Sequence, residues 1–428
     1  MTTVSTAPSQ QDARSPVLAE LCARGFFEQA SDFAGLDASL ARESVTFYVG
    51  FDPTASSLHV GNLLVLMAMR LFQRHGHRPI CVIGGGTGLV GDPSGKTESR
   101  KLLDRDTIVT NVASQSRQLT KVLHFDRGAS HDAMLLDNAE WLLRLDYIGF
   151  LRDIGSQFTV NRMIATKTYR DRLDAELPLS FIEFNYQIIQ AYDFLELWRR
   201  HDCTLQLGGS DQWGNMVAGV ELIRRVGNRP QRPAYCLTFP LLTTADGAKM
   251  GKTERGAVWL DAERFAPFSY YQYWIGCDDR DVEKLLYLYT ELPLADIREA
   301  CSVQGSALRT AKARLAFEAT RLLHGEHAAV AAREASQQAF GDDKPWDAVP
   351  AVVVRTRSIK LVDLCVLPEV AAFRSKREAR QRIEAGAVRL DGEPCSDPMF
   401  EITHDRAREP GLRLHVGKKT RVRIVLNP

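Results

Sequence analysis

Near residue 50 the hydrophobic pattern of the chain changes its period twice within about 30 residues. Aromatic and β-branched residues at 46–51 predict a buried strand, which a Pro-Thr turn ends. The apolar run Leu63–Leu71 then predicts a helix that stops before Gly76, and Arg78–Ile83 predicts a second strand. A strand, a helix and a strand in this order form a βαβ unit with parallel strands. The pattern therefore predicts an α/β fold built on a Rossmann-like parallel sheet.

The pattern beyond this unit divides the chain into four parts. Residues 1–16 are rich in Ser, Thr, Gln and Ala and are expected to form a flexible tail, followed by the Rossmann-like domain over 17–245. Apolar residues at three-and-four spacing from Asp261 to about Phe340 predict helices, so residues 246–345 are expected to form a loop followed by a helical domain. A Gly-Asp-Asp-Lys-Pro-Trp stretch at 341–346 is the predicted linker to a last domain over 346–428.

The last domain has its own helix and strand pattern. Ser375 and Glu378 have the spacing of a capping box, which opens a helix that ends at Gly386. Strands are predicted at 387–390 and 420–426, with an Asp-Gly turn after the first of them. This order predicts a small α+β domain.

Composition excludes several classes of protein. The longest apolar run, Leu63–Met69, is much shorter than the roughly 20 residues of a membrane span, and the polar start of the chain contains no apolar secretion segment. The 8 cysteines include no C-x-x-C pair, so neither a disulfide framework nor a zinc site is predicted. We therefore expect a cytoplasmic globular protein with reduced cysteines and no metal site of its own.

The formal net charge of +1 is distributed unevenly along the chain. From Arg374 to Pro428 there are 13 Lys and Arg residues against 8 Asp and Glu residues, so this end carries a charge of +5. A solvated helix face is one explanation for such a surplus, and a nucleic-acid surface is the other. The cations that crowd the predicted helix and its exit are Arg374, Lys376, Arg377, Arg380, Arg382 and Arg389.

A histidine and an asparagine stand at the start of the helix that follows the first strand. His59 and Asn62 are three residues apart, so their side chains emerge on one face, beside backbone N–H groups that attract anions. Contact with nucleotide phosphates is one interpretation of this pair. Simple capping of the helix N-terminus is the other.

The glycine-rich stretch Gly86–Gly91 satisfies the G-x-G-x-x-G pattern of dinucleotide-binding enzymes, which keeps a dehydrogenase open as an alternative. An Asp-Pro-Ser-Gly sequence at 92–95 follows at once. It cannot continue the helix that should receive the pyrophosphate, which weakens the dehydrogenase hypothesis. A P-loop is rejected, because Val90 stands where that motif requires a glycine.

Two further clusters carry polar groups suited to binding. Tyr186, Gln190 and Asp193 are four and three residues apart, so a helix places them on one face, where buried polar groups need partners. A substrate or an intramolecular hydrogen-bond cluster would satisfy them equally well. Lys249 and Lys252 lie on a segment bracketed by glycines, which suggests a mobile loop whose ammonium groups can fold over a triphosphate.

Taken in order, the stretches His59–Asn62, Gly91–Gly95, Gly208–Asn215 and Lys249–Thr253 resemble the motifs of bacterial tyrosyl-tRNA synthetases, in class I of the aminoacyl-tRNA synthetases. The first looks like the HIGH signature, and the last like KMSKS. The resemblance runs from about residue 35 to the C-terminus. It implies an enzyme that activates L-tyrosine with ATP and transfers it to the 3′-terminal adenosine of tRNA-Tyr. It also implies Mg²⁺ on the phosphates and a homodimer.

The resemblance assigns particular residues to each substrate. Those implied for tyrosine are Tyr48, Asp92, Tyr186, Gln190, Asp193 and Gln212, with Tyr48 and Asp193 on the phenol. Those implied for ATP are Asp52, Thr54, His59, Asn62, Gly209, Asp211, Lys249 and Lys252. The implied catalytic set is His59, Asn62, Lys96, Arg100, Lys249, Lys252 and Thr253. The implied tRNA contacts are Arg224 and Arg225 for the acceptor stem, and Arg374, Lys376, Arg377 and Arg380 in the last domain.

Three positions, Val49, Asn62 and Gly251, depart from the family pattern. They leave a second hypothesis open, a synthetase-derived RNA-binding or regulatory protein without aminoacylation activity. Tryptophanyl-tRNA synthetases are the nearest relatives of the resembled family, and they normally lack a C-terminal RNA-binding domain like the one predicted here. The presence of that domain favours tyrosine as the substrate.

Overall fold

The computed structural model describes residues 13–94, 104–229, 231–245, 247, 250, 252–253, 256–303, 308–340, 349, 351–417 and 420–428. Several predicted features lie outside these residues: Lys96, Arg100, Lys249, Gly251, the side chains of Lys252 and Thr253, and the linker 341–346.

The α-helices of the described residues run from α1 to α16 in chain order. They are α1 (Pro16–Ala23), α2 (Phe33–Arg42), α3 (Val60–Arg74), α4 (Arg105–Val122), α5 (Ala139–Leu142), α6 (Tyr147–Asp153), α7 (Val160–Ile164), α8 (Lys167–Asp174), α9 (Phe181–His201), α10 (Trp213–Val226), α11 (Pro267–Ile275), α12 (Val282–Tyr289), α13 (Leu294–Cys301), α14 (Arg309–Phe340), α15 (Leu361–Leu364) and α16 (Lys376–Glu384). Among the residues described, no helix is both long enough and apolar enough to span a membrane.

The strands complete the secondary structure of the same residues. They are β1 (Gln29–Ala30), β2 (Thr46–Phe51), β3 (Arg78–Ile83), β4 (Met134–Asp137), β5 (Cys203–Gly209), β6 (Tyr235–Phe239), β7 (Lys252–Thr253), β8 (Gly256–Ala257), β9 (Ala351–Val354), β10 (Ser358–Lys360), β11 (Val388–Leu390), β12 (Glu393–Pro394), β13 (Glu401–Thr403), β14 (Leu412–Val416) and β15 (Thr420–Leu426).

The chain forms two compact units. Unit 1 comprises Met1–Met250, Trp259–Arg264 and Arg280–Val303, and unit 2 comprises Gly251–Val258, Phe265–Asp279 and Gln304–Pro428. The helices α12 and α13 therefore belong to unit 1, although their sequence pattern is continuous with the helices of unit 2.

In its described part, unit 1 is built on a six-stranded sheet with the order β1-β6-β5-β2-β3-β4. The strands β2 to β6 run parallel, and β1 pairs antiparallel with β6 at the edge. Chain order reverses between β2 and β5, and this is the point of a Rossmann-like sheet where the strand ends open a binding crevice. The predicted α/β class and the strands 46–51 and 78–83 are confirmed.

The described chain is already ordered at its first residues, within the predicted tail. The backbone N–H groups of Arg14 and Ser15 donate to the buried Asp37 carboxylate, at 2.8 and 2.9 Å. Ser15 then caps α1. Within the predicted tail, the backbone donors of Arg14 and Ser15 are thus satisfied by a carboxylate 23 and 22 residues away.

The glycine-rich stretch after β3 does not open an α-helix. It forms a short 3-10 turn over Thr87–Leu89, and the next described helix, α4, begins at Arg105. This geometry agrees with the argument against a dinucleotide site, since no α-helix begins directly after the fingerprint in the described stretch 86–94.

Unit 2 contains α11 and α14 together with a small α+β fold. The helix α14 is interrupted at Gly325, whose φ of 84° lies in the left-handed region. The described C-terminal strands form a five-stranded sheet with the order β12-β11-β14-β15-β9. Ser375 caps α16 as predicted, but the reciprocal half of the capping box differs. Glu378 accepts a hydrogen bond from the Arg374 N–H rather than from Ser375.

Candidate active site

The candidate site of unit 1 lies where β2 and β5 end and where α9 packs on the sheet. Asp52 directly follows β2, and Gly209 is the last residue of β5. The helix α9 begins at a capping box of Ser180 and Glu183, which fixes the start of the helix that supplies three predicted residues. The carboxyl ends of neighbouring parallel strands meet at one edge of a sheet, so these elements bring distant polar groups together.

Asp193 on α9 is the most deeply buried acid of the site, with 4% of its surface exposed. Its carboxylate accepts one hydrogen bond from Asn138 Nδ2 at 2.9 Å and one from Trp141 Nε1 at 2.7 Å. Burial raises the pKa of Asp193 to about 7, although the hydrogen bonds from Asn138 and Trp141 act in the opposite direction. The effect of lost hydration on the pKa of Asp193 thus outweighs that of the two hydrogen bonds. The carboxylate can accept a further hydrogen bond from a ligand.

Tyr48 on β2 supplies a buried hydroxyl close to Asp193. This oxygen has no hydrogen-bond partner among the described residues, and the ring packs on Phe194 with centroids 5.3 Å apart. Burial first, and then the negative charge of Asp193, raises the pKa of Tyr48 well above its usual value. An unpartnered buried hydroxyl is costly in a folded protein, so a ligand that completes its hydrogen bonding would be favoured there.

A second polar network links the loops after β3 and β5 with α9 and α10. Gln212 Nε2 donates to Asp92 at 2.6 Å, and the Ser94 N–H donates to the other oxygen of the same carboxylate at 2.9 Å. Asn215 Nδ2 contacts Gln190 Oε1 at 3.1 Å and Gln212 Oε1 at 3.3 Å. The predicted residues Asp92, Gln190 and Gln212 are therefore joined, with Asn215 at the centre.

Tyr186 on α9 is linked to Asp193 through Asp52, Thr87 and Asn138. Its hydroxyl donates to the Asp52 carboxylate, at 3.2 and 3.3 Å from the two oxygens, and Thr87 Oγ1 donates to Asp52 at 3.1 Å. Asn138 Nδ2 completes this link by donating to Thr87 Oγ1 at 3.0 Å and to Asp193 at 2.9 Å, while Gln190 bonds Asn215 on α10. The assignment of all three residues to tyrosine binding stays a prediction.

The start of α3 explains how His59 and Asn62 are held. His59 Nδ1 accepts from the Gly61 N–H at 3.0 Å, and Asn62 Oδ1 accepts from the His59 N–H at 3.0 Å. The pair therefore forms a reciprocal capping box. The capping interpretation is confirmed, and phosphate contact stays a prediction for the same two residues.

The loop after β5 places Gly209 beside Asp211. A Cβ added at Gly209 would lie 2.6 Å from Asp211 Oδ1, so only glycine allows this carboxylate its position. Thr54 lies two residues beyond Asp52, and its N–H donates to the Asp52 carbonyl at 2.8 Å. Its side chain is exposed, as a residue that contacts a diffusing nucleotide requires.

The predicted tRNA contacts are surface cations. On α10, Arg224 pairs with Glu221 at 2.9 Å, and Arg225 pairs with the same carboxylate at 3.5 Å and also contacts the Gln157 carbonyl. In unit 2 the side chains of Arg374, Lys376, Arg377 and Arg380 are exposed at the start of α16. Lys376 pairs with Asp363 at 2.6 Å.

Sequence reasoning missed three residues that complete these networks: Asn138, Trp141 and Asn215. Asn138 and Trp141 follow β4 at the carboxyl edge of the sheet, where ligand-binding residues of parallel sheets are expected. That rule applied to β4 would have found them. Asn215 is the last residue of the glycine-rich motif Gly208–Asn215. Its amide could have been predicted as a site residue together with that of Gln212.

Comparison with known proteins identifies the family of this chain. A family described as tRNA synthetases class I (W and Y) matches residues 40–341, and one described as the tyrosine–tRNA ligase SYY-like C-terminal domain matches residues 343–420. The tyrosine–tRNA ligase of Zymomonas mobilis is 48% identical over 408 residues, which cover 95% of this chain and 97% of that protein. That of Desulfosudis oleivorans is also 48% identical, over 429 residues and 98% of its length.

Solved structures agree with this finding. A C-terminally truncated mitochondrial tyrosyl-tRNA synthetase from Aspergillus nidulans superposes with a TM-score of 0.67 at 28% identity, covering 76% of this chain and 94% of its own. None of these relatives supports the hypothesis of a protein that has lost its enzymatic activity. The chain belongs to the class I tyrosine–tRNA ligases.

Proposed function

We propose that this tyrosine–tRNA ligase forms tyrosyl-adenylate in the crevice between β2, β5 and α9, and that Asp193 and Tyr48 bind the phenol of the substrate. The observation that carries the proposal is the buried Asp193 carboxylate beside the unpartnered Tyr48 hydroxyl. A phenol O–H can donate to the carboxylate and accept from the hydroxyl. Phenylalanine has no group that could do either, so it would leave both unsatisfied.

The other end of tyrosine is assigned to the Asp92 network. The Asp92 carboxylate attracts the substrate ammonium together with Tyr186 and Gln190, and Gln212 donates to Asp92 beside them. The tyrosine carboxylate is already a nucleophile at neutral pH and attacks the α-phosphate of ATP in line. No general acid or base is needed, so the protein contributes by positioning the reactants and stabilising charge.

ATP is assigned to the edge of the sheet beside the start of α3. Asp52, Thr54, His59, Asn62, Gly209 and Asp211 are the described residues proposed to contact it. The proposal includes Lys96, Arg100, Lys249, Lys252 and Thr253, whose side chains lie outside the described residues. We expect Lys252→Ala to slow adenylate formation far more than it weakens tyrosine binding, because the ammonium group acts on charge that develops at the departing pyrophosphate.

Mg²⁺ is proposed to arrive on the ATP phosphates as part of the substrate. Among the described residues there is no group of three or more His, Cys, Asp or Glu side chains that could hold a metal ion. Mg²⁺ commonly keeps several waters and binds through substrate phosphates, which fits a site with few protein ligands.

The tRNA is assigned to two surfaces. Arg224 and Arg225 are proposed for the acceptor stem, and the cations of α16 for the body of tRNA-Tyr. We propose the same domain bounds as the sequence predicts. They are 17–245 for the Rossmann-like domain, 246–345 for the helical domain and 346–428 for the last domain. We also place the protein in the cytoplasm, where its tRNA and ATP substrates are found.

A homodimer is proposed through unit 1. Large apolar side chains are exposed on its helices α6, α7 and α9, with Ile148 at 68% and Phe181 at 71% exposure. Patches of this kind commonly mark protein interfaces. Sedimentation velocity should give twice the chain mass for the parent and the single-chain mass for a variant with Ile148→Asp and Phe181→Asp.

The test of the pocket assignment compares two amino acids. Pyrophosphate exchange into ATP should depend on tyrosine and should barely rise with phenylalanine in the parent protein. Tyr48→Phe and Asp193→Asn should each narrow the ratio of the two kcat/KM values. A folded Asp193→Asn variant that keeps the parent ratio would show that the phenol binds elsewhere.

A further inference from the structure

The loop between β2 and α3 is held from outside by a neighbouring helix. It begins after Phe51 and ends at Val60, and it carries both Thr54 and His59. Backbone groups of such a loop lack the regular hydrogen bonds of a sheet or a helix and must find other partners. In this protein several of the partners are side-chain amides of α4.

Three amides of α4 contact the loop backbone in sequence. Asn111 Nδ2 donates to the Pro53 carbonyl at 2.8 Å, and Gln115 Nε2 donates to the Ala55 carbonyl at 2.9 Å. Gln118 bonds the loop backbone twice. Its Nε2 donates to the Ser56 carbonyl at 3.3 Å, and its Oε1 accepts from the Leu58 N–H at 2.8 Å. We call Asn111, Gln115 and Gln118 the amide ladder.

The amide ladder occupies the buried face of α4, where apolar residues are expected. Its members are four and three residues apart and share that face with Ile108 and Val122. They are 6%, 2% and 3% exposed. A buried amide is unfavourable unless it is hydrogen-bonded, and Gln115 Oε1 has no partner among the described residues. An apolar stripe would pack at lower cost but would leave the loop carbonyls unpaired. The amides are therefore suited to fixing the loop rather than to stabilising the helix.

We propose that the amide ladder consists of positioning residues for ATP, which set the backbone of residues 53–58 and thereby the places of Thr54 and His59. This inference rests on the proposed contact of Thr54 and His59 with ATP. The ladder touches no substrate atom in the proposal. Its effect on the reaction passes through the loop.

The opposite side of the loop has anchors of its own, so a ladder variant should keep the loop attached. Leu260 N–H donates to the Leu58 carbonyl at 2.9 Å, and Arg264 donates to Ser56 Oγ at 3.0 Å. His59 also pairs with Trp259 through an isolated β-bridge. Removing one amide should shift the loop rather than unfold it, and a shift of about 1 Å in a reacting group can cost about a hundredfold in rate.

The test uses Gln118→Met, which keeps the length of the side chain and removes its three hydrogen bonds to the loop. Gln73→Met is the matched control, because Gln73 on α3 is equally buried and bonds the backbone of a different loop, at His124 and His131. Both variants of the full chain are measured by thermal unfolding and by tyrosine-dependent pyrophosphate exchange, with separate KM values for ATP and tyrosine. Asn111→Leu serves as a second ladder variant if Gln118→Met does not fold.

We expect both methionine variants to lose stability to a similar degree. The ladder variant should lose at least tenfold in kcat/KM for ATP, while its KM for tyrosine stays within twofold. Gln73→Met should keep all kinetic constants. If the two variants show the same kinetics per folded molecule, the ladder is merely structural and the proposal is overturned.

Two further variants separate this outcome from a failure of the ATP assignment. Thr54→Ala and His59→Ala should each lower kcat/KM for ATP in the same assay. If neither does, the loop does not contact ATP, and the proposed function of the loop fails together with the ladder. If both do while Gln118→Met behaves like Gln73→Met, only the ladder proposal fails.

Discussion

The Asp193 pocket and the basic helix α16 bind by opposite physical means. Asp193 is buried, and two fixed donors, Asn138 and Trp141, hold its carboxylate. The cations of α16, such as Arg377 and Arg380, are exposed and can reorient in water. A buried group therefore acts through its geometry, and its loss leaves partners unpaired. Exposed cations act through their summed charge, so each one contributes little and salt weakens all of them.

The largest effect should come from the pocket. Asp193→Ala removes the acceptor of the substrate phenol and leaves Asn138 and Trp141 with unpaired buried donors. Breaking a buried charged interaction costs about 3–5 kcal/mol, so kcat/KM for tyrosine should fall by roughly a hundredfold to a thousandfold or more. Steady-state pyrophosphate exchange measures this loss.

Glu196→Gln is the control for that variant. Glu196 is also buried on α9, but it pairs with Arg199 and Arg200 instead of lining the pocket. It should retain kcat/KM for tyrosine within a few fold. An Asp193→Ala protein that folds and still activates tyrosine like this control would remove Asp193 from the site.

A pH effect on stability should follow from the raised pKa of Asp193. The folded pKa of about 7 lies above the ordinary value of 3.8, so between these values the folded state binds more protons than the unfolded state. The contribution of this group to the free energy of unfolding therefore falls as pH rises from about 4 to about 7, by up to about 4 kcal/mol in total. Above about pH 7 the contribution stays constant.

Urea unfolding of the parent and of Asp193→Asn across this pH range checks the sign. The asparagine variant lacks the titrating group, so its stability relative to the parent should increase toward pH 7. A difference that does not vary with pH would mean that Asp193 is ionised throughout in the folded protein.

A smaller effect is expected from the basic helix. Arg377→Gln together with Arg380→Gln should weaken tRNA-Tyr binding by roughly tenfold at low salt and leave pyrophosphate exchange unchanged. The slope of log K against log salt concentration should become shallower by about 1 to 2, because each phosphate contact releases condensed counterions. Filter binding at several salt concentrations measures both quantities.

The matched control removes two exposed cations from a different helix. Arg117→Gln and Lys121→Gln on α4 change the net charge by the same amount. If this control weakens tRNA binding as much as the α16 variant, only total charge matters and α16 is not a specific surface.

The two regions also differ in how far the sequence predicts them. The strands β2 and β3 and the helix α3 follow from local periodicity, since their apolar residues repeat within a few positions. The helix α16 follows from its cap at Ser375. In both cases the information lies within the element itself.

The partners of Asp193 could not be found in that way. Trp141 and Asn138 are 52 and 55 residues away in the chain, and only the packing of β4 beside β3 brings them to α9. The same limit explains Tyr186, whose partner Asp52 is 134 residues away. It also explains the assignment of α12 and α13 to unit 1, because periodicity identifies a helix but not the surface on which it packs.

The central claim is that the chain up to residue 349 activates tyrosine without the last domain, which serves the tRNA. The most direct measurement uses a chain that ends at residue 349 and compares it with the full chain in two assays on the same preparation. Tyrosine-dependent pyrophosphate exchange should stay within a few fold of the full chain, while transfer of tyrosine to tRNA-Tyr should fall by at least about a hundredfold, as expected for the loss of most phosphate contacts. Charging of tRNA at the full-length rate by the shortened chain would contradict the account, and so would a folded shortened chain that no longer forms tyrosyl-adenylate.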